Sequence, residues 1–109
     1  MFTETSLFSK EATTTATSAY SPGSGETAII KQITVCNHES TDQTFGIWLD
    51  GDGSTYNDNS VRFEDVAISA NTTVIIDTYW IMNNASGNIA IKADANSKIT
   101  ISADGAVLT

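Results

Sequence analysis

Residues 44–50 read TFGIWLD, with Phe45, Ile47 and Leu49 on one parity and Trp48 on the other. A strand repeats its faces every two residues and a helix every 3.6, so this spacing selects a strand with one buried face. The same period runs through most of the chain. In TAIIKQITVCNH (27–38), Ile29, Ile33 and Val35 share a parity and Ile30 and Cys36 take the other. VRFEDVAI (61–68) places Val61 and Phe63 together, then changes parity near Asp65, which predicts a bulge or a strand end. VIIDTYWIM (74–82) is the longest apolar run, and its Asp77 faces away from Val74, Ile76 and Trp80. IAIKA (89–93) and ITISA (99–103) alternate as well.

Turn residues separate these runs: YSPGSGET with Pro22, Gly23 and Gly25, then HESTDQ, SANTT, NNASGN and DANSK. Helix caps and a 3.6 period are absent, and threonine, glycine and asparagine are frequent. Evenly spaced short strands predict an all-β chain, an antiparallel β-sandwich of jelly-roll or Ig-like type with about seven or eight strands.

The first eighteen residues, MFTETSLFSKEATTTATS, differ in character. They hold no glycine or proline, and Phe2, Leu7 and Phe8 are their only large apolar side chains after Met1. ATTTATS is polar and partly β-branched, suited to adding at a sheet edge and unsuited to a core. The expected organisation is therefore an extended N-terminal arm over 1–18 and a β-sandwich domain over 19–109. The length of 109 residues suits one such domain.

Charge narrows the partners. Thirteen acids against five bases give a net charge of −8, and the bases Lys10, Lys31, Arg62, Lys92 and Lys98 form no cluster. Such a surface repels phosphate backbones, so nucleic acid is not expected as a partner. No apolar run approaches the roughly 18 residues of a membrane helix, and the start lacks the basic and apolar regions of a secretory signal. A soluble protein made in the cytoplasm, with no membrane partner, is the expectation. A single cysteine, Cys36, rules out an internal disulfide.

LDGDGSTYND (49–58) raises the question of a metal. Counted from Asp50, oxygens at Asp52 and Ser54 match positions 3 and 5 of an EF-hand loop. Thr55 and Val61 stand where the loop needs its glycine and its bidentate glutamate, so the motif fails. A looser oxygen site at Asp50, Asp52, Asn57 and Asp58 competes with a plain hairpin tip, whose turns Asp, Asn and Gly make by themselves. The tip is the reading taken, on a loop longer than most. Cys36 and His38 share a strand face, but zinc needs three or four ligands and no second Cys or His exists. No catalytic residue, metal ligand or cofactor is assigned, and the chain is read as not an enzyme. Trp48, opposite the core parity, is expected to face a partner or a neighbouring subunit.

One passage adds a resemblance. YSPGSGETAIIKQITVCNHES, through Tyr20, Pro22, Gly25, Ala28, Ile29, Ile30, Lys31, Ile33, Val35 and Asn37, resembles an element that opens the β-sandwich of small structural proteins of tailed bacteriophages. Its turn is one residue longer here, and VAISANTTVIIDTYWIM is similar to a later strand–turn–strand half of those proteins. The resemblance implies a virion location and a non-enzymatic role, foremost a capsid decoration or cement protein docking through its arm. The alternatives are a neck, tail or fibre component, or a carbohydrate- or receptor-binding module. It implies other virion proteins as partners (a major capsid protein, or neck and tail proteins) and a homo-oligomer. Phe2, Leu7, Phe8 and Trp48 are the expected partner-binding side chains.

Overall fold

The alternating runs become strands in the computed structural model, which describes residues 1–96 and 98–109. Eight are present among them: β1 (Phe2–Glu11), β2 (Thr17–Tyr20), β3 (Thr27–Asn37), β4 (Gln43–Asp50), β5 (Val61–Ile68), β6 (Thr72–Met82), β7 (Asn88–Ala93) and β8 (Ile99–Leu108). They form two four-stranded antiparallel sheets, ordered β1-β8-β3-β6 and β2-β7-β4-β5. The pairs β1–β8 and β3–β6 lie in the first sheet, and β2–β7 and β4–β5 in the second. That nesting is the jelly roll, which decides between the two expected sandwich types.

The core lies between the sheets. Ile30, Ile33, Val35, Ile99 and Ile101 of the first sheet meet Phe45, Ile47, Ile68, Ile89 and Ile91 of the second. Burying each such side chain contributes about 1.5–3 kcal/mol. Asn37 is a wholly buried polar residue at the end of β3. Its side-chain amide donates to the carbonyls of Thr41, Ile68 and Ser69, and its Oδ1 accepts from the Glu39 amide. It thereby ties the β3–β4 and β5–β6 turns together.

A line of irregularities crosses the first sheet. Register shifts fall between Ser6 and Phe8 on β1, and between Ile30 and Gln32 on β3 against both neighbours. On β6 the matching irregularity brings the Thr78 hydroxyl to the Ile30 carbonyl, to which it donates at 2.7 Å. Gly105 sits on this line. A Cβ there would fall 1.8 Å from the Ile29 carbonyl oxygen, so only glycine lets β3 approach β8 this closely. The shift at Lys31 corrects one sequence expectation. Ile30, Ile33 and Val35 all enter the core, while Ile29 lies on the outer face with Ala106 and Ile81. A single parity for Ile29, Ile33 and Val35 does not survive the extra residue. The parity change predicted near Asp65 is present: β5 shifts register against β4 there, and Asp65 has φ 48°.

The arm expected over 1–18 is also corrected. Residues 2–11 are hydrogen-bonded along β8 from Phe2↔Leu108 to Glu11↔Thr100. Phe8 and Ala12 are buried in the core. The boundary expected after residue 18 falls inside β2, which pairs with β7 in the other sheet. An edge strand with one buried side chain needs few apolar residues, so β1 reads in sequence as a polar tail.

Candidate functional site

The long β4–β5 loop runs from Asp50 to Val61, as the hairpin reading predicts. Its acids do not converge. Asp50 lies at the mouth, where Oδ2 accepts from the Thr55 amide at 2.8 Å and Oδ1 from the Asp52 amide at 3.3 Å. The Thr55 hydrogen bond, against an opposing effect of desolvation, holds the Asp50 carboxyl below its usual range. Ser60 closes the other side, donating to the Thr55 carbonyl at 2.7 Å and accepting from the Asn57 amide. Asn88 on β7 donates to the Gly53 carbonyl. Asp and Asn side chains thus build the turns by capping backbone amides. Among the described residues no group of three or more His, Cys, Asp or Glu is placed to hold a metal ion.

Cys36 and His38 do not form a pair of ligands. Cys36 is half-buried on the outer face of the first sheet, between Thr73 and Thr100. β3 ends at Asn37, and His38 lies beyond it in solvent. Glu39 engages Lys98 instead, at 2.5 Å, and that hydrogen bond and charge hold its carboxyl low.

The expected contact residues separate into two groups. Phe8 is 7% exposed and packs in the core; Leu7 packs partly against it. Trp48 faces away from the core, as its parity predicts, yet is only 7% exposed. Its ring lies over Gly46, beside the positions of Val61 and Ala90 on the flanking strands. Phe8 and Trp48 are therefore covered by their own chain, and a partner-facing role for them does not fit. Phe2 remains exposed at 51%, next to Leu108. Lys31 stands 5.1 Å from the centre of its ring and 3.6 Å from Glu4.

A further surface escapes the sequence reading. Ile75, Tyr79 and Ile81, on the outward parity of β6, are 62, 68 and 53% exposed. The signal is present in VIIDTYWIM, where both parities carry large apolar residues. One parity, Val74, Ile76 and Trp80, packs toward the core, with Trp80 6.2 Å from Phe63. The other parity is left exposed by the described residues. The arrangement as a whole offers contact surface and turn geometry, with the Asp50 carboxylate committed to backbone amides and that of Glu39 to a lysine.

No protein-family model matches the sequence, and no curated protein matches it. Solved structures do match the fold. A chain of the T13 IBDV viral particle superposes with a TM-score of 0.56 over 98% of this chain and 30% of that one, at 6% identity. The infectious bursal disease virus Gx strain structure gives 0.54 over 98% and 32%, at 11% identity. The chain thus spans about a third of the length of those two. The coat protein of Tobacco streak virus gives 0.53 over 99% of this chain and 86% of that one, at 14% identity. At these identities the likeness is one of fold alone.

Proposed function

We propose that this chain is a non-enzymatic structural protein of a virion, held in the particle by contacts with other virion proteins. The observation that carries the reading is the jelly roll itself. All eight strands of the described chain belong to it, and its fold neighbours are a viral particle chain and a viral coat protein. Jelly rolls also serve lectins. The covering of Trp48 favours the virion over a carbohydrate-binding module, because a sugar would need that ring face free.

Within the virion class the resemblance of residues 20–37 to tailed-phage structural proteins supports a capsid decoration or cement protein, with neck, tail or fibre placement as the alternative. The N-terminal segment keeps a docking role in this reading in a narrower form. Its contact is the exposed end of β1, Phe2 with the adjoining Leu108, instead of a free arm.

Quantitative mass spectrometry of purified particles tests the proposal. Copy numbers in proportion to the major capsid protein support decoration; a handful of copies supports the neck or tail. Absence from particles of a virus that encodes the chain overturns the virion reading.

A further inference from the structure

The jelly roll leaves four edge strands: β1 and β6 on the first sheet, β2 and β5 on the second. Exposed edges invite pairing with another chain, and proteins guard them with charges or by keeping them short. Three of these edges are guarded. β1 carries Glu4, Lys10 and Glu11; β5 carries Arg62, Glu64 and Asp65; β2 has four residues. β6 is different. It has 11 residues, no proline, and one charge, Asp77. It also holds three of the six exposed large hydrophobic side chains among the described residues.

We infer that β6 is a self-association edge, pairing antiparallel with β6 of a second copy about a twofold axis at Thr78. The order of outward side chains carries the choice of a second copy. Ile75, Asp77, Tyr79 and Ile81 are arranged about Thr78 so that reversal places apolar against apolar and Asp against Tyr. Ile75 faces Ile81 of the other copy, twice, and Asp77 faces Tyr79, twice, with the phenol donating to the carboxylate. An isologous contact requires this kind of self-complementarity. The register also keeps the two Asp77 carboxylates from lying directly opposite, which cross-strand like charges disfavour. The irregularity at Thr78 falls on the axis, so both copies bend at the same point.

Area sets the strength. A strand of this length runs roughly 36 Å, and with side chains on both faces its edge is about 10 Å deep. Pairing therefore covers a few hundred Å² per copy, below the roughly 800 Å² of a standard interface. Association is reversible, and because each copy carries a charge of −8, added salt strengthens it by screening.

The inference concerns the free chain in solution and stands apart from the virion reading. Analytical ultracentrifugation of the full chain over a concentration series is the test. The expected result is a mass rising from 11.6 kDa toward twice that value, more steeply at higher salt. Tyr79→Glu, which sets a like charge opposite Asp77 of the other copy, and Ile81→Glu abolish the rise while leaving the melting temperature unchanged, since both side chains lie outside the core. In a Cys36→Ser background, a mixture of Ile75→Cys and Ile81→Cys chains forms a mixed disulfide on oxidation, and either chain alone does not. A monomer at every concentration, or a dimer untouched by Tyr79→Glu, overturns the inference. A dimer without the mixed disulfide overturns the register, and with it the self-complementarity on which the choice of partner rests.

Discussion

The indole of Trp48 occupies the space above Gly46: a Cβ on Gly46 would stand 2.7 Å from the ring and 3.2 Å from the Phe63 carbonyl oxygen. The glycine is what allows a large aromatic residue to lie flat on the outside of the second sheet. Gly46→Ala forces the ring off this seat and should destabilise the fold by about 1–3 kcal/mol, the usual cost of overpacking. In a Trp48→Leu background the same change should cost clearly less. A double-mutant cycle from urea unfolding measures the difference.

Asn37 satisfies three carbonyls with one amide group. Asn37→Ala leaves those acceptors without their donor in the interior and should cost about 1–3 kcal/mol. Asn37→Asp should be worse at neutral pH, because a carboxylate would face three carbonyl oxygens. It should recover part of the loss in acid, where the protonated group donates again. Thermal melts of both variants across pH separate these outcomes.

Acid stability should depend in part on Asp50. Its carboxyl is depressed in the folded chain by the Thr55 amide, so the unfolded chain binds the proton more readily. The stabilisation is present above the ordinary Asp range and is lost as pH falls through the depressed folded value. Asp50→Asn should flatten this acid limb by lowering stability at neutral pH, where the charged group contributes, and converging on the wild type in acid. A pH series of melting temperatures, wild type against variant, reads it directly.

β1 is predicted to be part of the folding unit. Phe8→Ala should cost about 3–5 kcal/mol, as for other buried phenylalanines. Removal of residues 1–11 strips β8 of its neighbour and should yield insoluble or unfolded protein. A soluble, cooperatively melting truncation would instead mean that the segment is dispensable to the fold.

The sequence by itself determined the strands. Alternation between neighbouring side chains is a local property of the extended backbone, so the runs after residue 26, the turns between them and the bulge at Asp65 could all be read from it. The hairpin nature of residues 50–60 was equally legible, since the missing glycine and glutamate remove the EF-hand calcium motif. The tertiary structure alone decided which strands pair. Local alternation says that a face is buried but not against what, so jelly-roll order and Ig-like order look the same in sequence. β1 shows the cost of that gap: one buried phenylalanine, Phe8, makes a strand of a segment that reads as an arm, because β8 supplies the hydrogen bonds from the far end of the chain. Trp48 and the β6 stripe show it from opposite sides. Both lie off the core parity, yet neighbouring strands and Gly46 cover the tryptophan, while β6, at a sheet edge, leaves Ile75, Tyr79 and Ile81 open to whatever the chain meets.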